Sequence, residues 1–136
     1  IVSSFNWGRD MYVSLLSIGL GAVLGAWLRW VISLKFNSFF QGIALGTVLV
    51  NLVGAFIIGF AISFFANTNI HANYKLAVIT GFCGALTTFS TFSIEVVALL
   101  QSGKFDYAIL TIAIHVLGSL LFTGLGIYSY QLMTAH

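Results

Sequence analysis

Between Lys35 and Lys75 the chain runs for 39 residues without a full charge, and most of Ile43–Ala66 inside that run is apolar. Three other stretches share this character. Met11–Leu28 lies between Asp10 and Arg29, Leu76–Ile94 continues past Glu95 to Leu100, and Tyr107–Leu132 contains His115 but no charged side chain. A helix crosses the hydrocarbon core of a bilayer with about 20 residues. Lipid admits only helices or closed barrels, because no water is present to satisfy an open backbone. Barrel strands would alternate in hydropathy, whereas these runs are continuous. The pattern predicts an all-α membrane protein, a single transmembrane domain over residues 1–136 with four helices near 11–34, 43–66, 75–100 and 107–132. Polar breakers fall between them at Asn37-Ser38, Asn67-Thr68-Asn69 and Gln101-Ser102-Gly103. The first run has no small-residue cleavage site and its basic end follows its apolar part, so it reads as a retained span and not as a signal peptide.

Composition closes off other classes. Charged residues make up 6% of the chain, against about 25% in a soluble domain, so there is no polar coat for a water-facing globule. A net charge of +2, scattered along the chain, makes no basic patch for nucleic acid. Cys83 is the single cysteine and has no internal disulfide partner. No nucleophile–base pair, metal cluster or phosphate loop stands out, which argues against an enzyme. Trp27 and Trp30 near one span end, and Tyr128 and Tyr130 near another, suit the membrane–water interface.

Loop charges give little orientation. With four spans, Arg9 and Lys75 share one side, while Arg29, Lys35 and Lys104 share the other. The positive-inside rule needs a bias, and two against three supplies almost none. Either one orientation wins weakly, or the chain inserts both ways up and pairs with its inverted copy, an inverted repeat made of two chains. Small-residue pairs (Gly21 and Gly25, Gly42 and Gly46, with Gly118, Gly124 and Gly126 in the last span) point to close helix approach.

Polar residues inside the spans are costly and therefore informative. Thr47, Asn51 and Gly54 follow i, i+4, i+7 spacing and share a helix face. A mid-depth amide needs a partner, which is another helix, water or a transported species. Thr87 to Ser93 holds five hydroxyls within seven residues, preceded by Gly81 and Gly84. That combination predicts a break in the third helix at the glycines, freeing carbonyls that a cation or a water-lined cavity would satisfy. Hydroxyls can also bond back to their own helix, which accounts for one or two of the five. Phe89 and Phe92 sit within the run, and their electropositive ring edges offer an anion weak stabilisation. Glu95, on the face of Thr88 and Thr91, is the one carboxylate inside a span. His115, Ser119 and Thr123 repeat every fourth residue as a polar stripe. The residues favour a small channel or transporter for an inorganic ion without choosing the ion.

Three segments carry a resemblance. Gly21-Ala22-Val23-Leu24-Gly25-Ala26-Trp27-Leu28-Arg29-Trp30, Gly46-Thr47-Val48-Leu49-Val50-Asn51-Leu52-Val53-Gly54-Ala55-Phe56 and the stretch from Gly81 to Glu95 resemble the signatures of the Fluc (CrcB) fluoride channels. The resemblance implies an antiparallel, dual-topology homodimer in the bacterial inner (plasma) membrane, with two fluoride pores and a central structural sodium ion. It implies passive fluoride exit that relieves cytoplasmic fluoride toxicity. By the same resemblance Phe89 and Phe92 form a ring-edge box and Asn51 is a pore donor. Thr47 belongs to a vestibule, Ser90 and Thr91 to a hydroxyl track with Glu95 near it, and Ser119 and Thr123 match small polar positions. Gly84 and Thr87 would give main-chain carbonyls to sodium, and Arg29 would anchor the interface or concentrate anions. His115 departs from the tyrosine or asparagine of some members, though a neutral imidazole still donates one hydrogen bond. Ala85 stands where many have glycine. The alternatives are a dual-topology exporter of organic cations, which would use a glutamate in the first helix where this chain has none, and a non-transporting bundle.

Overall fold

A computed structural model describes residues 8–38 and 42–135; residues 1–7, 39–41 and 136, including most of the N-terminal tail, lie outside the described residues. Among the described residues all regular structure is helical. Helix α1 spans Arg9–Phe36 and α2 spans Leu45–Ala66. The third crossing is divided. Its first part, α3, opens with Ala72–Lys75, widens into the π-helical Leu76–Cys83 and closes with Gly84–Leu86; α4 then covers Phe89–Gln101. Helix α5 spans Phe105–Thr134. Four stretches, Arg9–Phe36, Leu45–Ala66, Ala72–Gln101 and Phe105–Thr134, are long and apolar enough to cross a membrane.

Gly42, expected to pair with Gly46 inside the second span, instead precedes the helix in a turn at φ +105°, a conformation that glycine adopts without Cβ strain. Asn37 then ends α1 and starts α2 together: its Oδ1 accepts from the Thr47 N–H at 3.1 Å, satisfying one of the unpaired donors of a helix N-terminus. The turn after α4 is a Schellman closure on Gly103 (φ +74°), with Lys104 N–H donating to Leu99 O at 2.8 Å and Gly103 N–H to Leu100 O at 3.1 Å.

Glycines bring the helices together as pairs, α1 against α3 and α2 against α5. A Cβ on Gly21 would collide with the Ala77 carbonyl, and one on Gly81 with the Ile18 carbonyl; on the other seam Gly59 faces the Thr123 carbonyl and Gly126 the Phe56 carbonyl. Main-chain atoms cannot swing aside as side chains can. Gly21→Ala is therefore expected to cost about 1–3 kcal/mol by overpacking. Gly19→Ala, whose Cβ meets nothing within 4 Å, is expected to be neutral or slightly stabilising, since alanine is the better helix former. Thermal unfolding in detergent compares the two, and equal midpoints would contradict the α1–α3 seam.

The interior is small. Val50, Leu86, Thr47 and Thr111 are the largest side chains sealed almost completely. Leu, Ile, Val and Trp side chains along α1 and α5 are exposed, the surface expected where lipid or another helix replaces water.

Candidate ion pathway

The third crossing breaks at Thr87 (φ −82°, ψ 157°) and Thr88 (φ −151°, ψ 119°), both extended. The sequence pointed to Gly81 and Gly84, but both remain helical; Gly81 is where α3 touches α1. What sets the break three residues further on is a side chain of α2. Asn51 Oδ1 accepts from the Thr88 N–H at 2.8 Å, and Asn51 Nδ2 donates to the Thr88 carbonyl at 3.1 Å. The amide thus replaces the helical acceptor of the Thr88 N–H and brings a donor to its carbonyl. Thr88 also caps the restart, its Oγ1 accepting from the Thr91 N–H at 3.2 Å, the usual service of a threonine at a helix N-terminus.

These substitutions determine which carbonyls are set free. In a continuous helix Gly84 O would accept from Thr88 N–H, and Thr87 O from Thr91 N–H. Both donors are diverted, one to Asn51 and one to the Thr88 hydroxyl. The Ala85 carbonyl between them is claimed from α1, by Arg29 Nε at 2.9 Å. Thr87 turns its own hydroxyl back to Cys83 O at 2.8 Å, and its Cγ2 fills the space against Gly54 of α2.

A cavity of about 430 Å³ opens beside the break. It takes Asn51 from α2, Gly84, Thr87 and Thr88 from the break, Phe89 and Phe92 from α4, and His115, Ser119 and Thr123 from α5. No Asp, Glu, Lys or Arg lines it. The Phe89 and Phe92 rings meet edge-on at 5.4 Å, and Phe92 lies against the His115 imidazole at 4.5 Å. Phe92 is buried, whereas Phe89 is 77% exposed. The i, i+4 stripe of α5 and the face of α2 read from sequence therefore converge on one space.

Other candidates lie apart from it. Glu95 lines a second cavity of about 260 Å³ with Asn37, Lys104 and Thr111. Thr47 is buried and donates to Glu95 Oε1 at 2.7 Å. Ser90 is exposed and Thr91 half-buried, and neither lines either cavity. Among the described residues two buried side-chain atoms have no hydrogen-bond partner, Glu95 Oε2 and His115 Nε2. Asn51 spends both of its amide hydrogens, on Thr88 O and on His115 Nδ1 at 2.9 Å, so donation to an ion requires one of these to be given up. Sequence reasoning missed Thr111, buried and one step earlier in the same four-residue stripe as His115, and it missed Asn37, taken only as a loop breaker. The stripe's spacing was enough to find Thr111; nothing local marked Asn37, because its role depends on where α2 begins.

Four membrane-length crossings, the third of them broken, with an uncharged cavity of rings, hydroxyls and an amide at the break, define a small polytopic membrane protein. The family model described as CrcB-like protein, Camphor Resistance (CrcB), matches residues 16–127, and the chain belongs to that family. It is 68% identical over 126 residues to a protein of Acinetobacter baylyi, covering 93% of this chain and all of that one. It is 64% identical over 126 residues to a protein of Acinetobacter baumannii (strain AYE), with the same coverage. A Pseudomonas putida protein is 51% identical over 125 residues, 91% of this chain and 98% of its own length. All three relatives carry the name fluoride-specific ion channel FluC.

Proposed function

We propose that this chain is a fluoride-selective channel of the bacterial inner membrane, through which fluoride leaves the cell down its gradient. Near full-length likeness to relatives named as fluoride-specific channels carries the choice of ion. The cavity supplies the physical reason. Fluoride is small and strongly hydrated, so its shell must be replaced by several compact donors. A fixed cation there would bind too well, whereas conduction needs favourable but moderate binding at several positions. Hydroxyls of Thr88, Ser119 and Thr123 and the ring edges of Phe89 and Phe92 are neutral and line one space. No covalent bond is made or broken.

The working unit in this reading is an antiparallel homodimer with dual topology. Nearly balanced loop charges support it, and so does a Phe89 ring left 77% exposed beside the cavity, which a second copy would cover. A structural sodium ion at the dimer centre fits the break: the Gly84 and Thr87 carbonyls have lost their helical donors to Asn51 and Thr88, and hard oxygen ligands suit a hard cation. Arg29 then serves as an anchor that takes the Ala85 carbonyl out of competition.

Purified protein in liposomes tests the function. Fluoride loaded inside is expected to leave under its own gradient with a potassium shunt, with chloride retained and no proton gradient needed. Retained fluoride would refute the assignment, and proton-coupled exchange would replace a channel with an antiporter. For topology, a C-terminal tag is expected to be accessible to protease from both faces of inner-membrane vesicles; protection on one face in the whole population would rule out dual insertion.

A further inference from the structure

The hydrogen-bond polarity of Asn51 can be assigned without seeing a hydrogen. A backbone N–H can only donate and a backbone carbonyl can only accept, so Thr88 fixes which amide atom is oxygen and which is nitrogen. The second Nδ2 hydrogen then points at His115 Nδ1, 2.9 Å away. A nitrogen facing that donor must present its lone pair. In a neutral imidazole the proton is therefore on Nε2. We propose that His115 is a positioning residue for the ion pathway, a neutral Nε2–H imidazole whose Nδ1 locks the Asn51 amide in the orientation that holds the third helix broken. This rests on the fluoride-channel reading for its effect on flux, but not for the tautomer itself.

The lock works against two alternatives. If the amide turned over, its oxygen would face the Thr88 carbonyl and its nitrogen the Thr88 N–H, so both main-chain contacts would become repulsive, and with the proton on Nε2 the lone pair of Nδ1 would oppose the flipped oxygen as well. An imidazolium, with hydrogen on both nitrogens, would set two donors against each other. The ring itself packs against buried Phe92, centroids 4.5 Å apart and planes tilted by 37°. One piece remains unsatisfied: Nε2 is buried with no partner among the described residues. A stranded donor in a protein interior calls for an explanation, and here the tautomer that Asn51 enforces leaves a neutral N–H beside an anion pathway.

The test has two independent arms. In protein labelled with ¹⁵N-histidine, with the His115 signals identified by their loss in H115N, nitrogen chemical shifts at neutral pH are expected to show protonated Nε2 and unprotonated Nδ1. The opposite tautomer, or a ring protonated on both nitrogens, would overturn the proposal even in a protein that conducts fluoride normally. In liposomes H115L, which removes the acceptor, is expected to slow fluoride efflux about threefold to fivefold, the scale of one lost hydrogen bond. H115N, whose Oδ1 can accept from Asn51, is expected to recover most of that loss. Equal defects in H115L and H115N, with both eluting as folded protein, would reduce His115 to a packing role and overturn the proposal. A wild-type protein that passed no fluoride would fail the functional reading instead, leaving the tautomer to the spectra.

Discussion

Asn51→Ala is expected to abolish most fluoride flux while leaving a folded, monodisperse protein. The reason lies in two main-chain groups. Without the amide, the Thr88 N–H that it now satisfies is stranded in a membrane interior and the Thr88 carbonyl loses a donor. A stranded group costs roughly 1–3 kcal/mol. The cheapest remedy is already at hand: Thr88 N–H can return to Gly84 O, four residues back, and the third helix then closes over its own break. Healing the break would withdraw the Gly84 carbonyl, swing Phe89 around the helix axis and dismantle the cavity. A stabilisation difference of that size corresponds to about a hundredfold or more in the population of the broken state. The measurement is initial fluoride efflux per reconstituted protein, with size-exclusion elution as the control for folding. Asn51→Asp is the informative companion. It keeps an acceptor for Thr88 N–H but sets a carboxylate oxygen against the Thr88 carbonyl and against His115 Nδ1, so it is expected to fail as badly as alanine.

Phe89→Ile is the second large effect, and it works by a different route. Phe89 is the first residue of α4 and is exposed within the chain, so its loss removes little packing and leaves no void in a sealed core. What disappears is an aromatic edge meeting Phe92 at 5.4 Å on the cavity wall. An isoleucine fills part of the space with C–H groups that carry no comparable quadrupole. With edge interactions worth about 0.5–1.5 kcal/mol, efflux is expected to fall about tenfold, with unfolding temperature nearly unchanged. Unchanged flux in Phe89→Ile would remove this ring from the pathway. Phe92→Ile is a poorer probe, because Phe92 is buried against His115 and its loss would disturb fold and site together.

Most of the architecture was legible because membrane helices announce themselves through long uncharged runs. Arg29, Lys35, Lys75 and Asp106 fall near the ends of the spans they delimit, and helix bounds differ from expectation by only a few residues. The polar stripe of α5 and the face of α2 were also readable, because four-residue spacing is a local property. The site of the break was not. Glycines suggested where a helix could yield, but it yields where something replaces its hydrogen bonds, and that something is Asn51, 37 residues away. Likewise Arg29 looked like an interfacial charge until its Nε was found on the Ala85 carbonyl. Glu95 shared a helix face with Thr88 and Thr91, yet its hydrogen bond comes from Thr47 on another helix. Periodicity reveals which residues share a face; it carries no information about which faces meet across the bundle.

The cavity at the break has no full charge on its wall, so in the proposed function a preference for fluoride comes from the fit of small dipoles around a small ion. The most direct test is the reversal potential of purified protein in a planar bilayer with fluoride on one side and chloride on the other. A potential pinned to the fluoride gradient and indifferent to a pH step across the membrane is the expected result. A reversal potential near zero under the fluoride–chloride gradient, or one that follows the proton gradient, would contradict it.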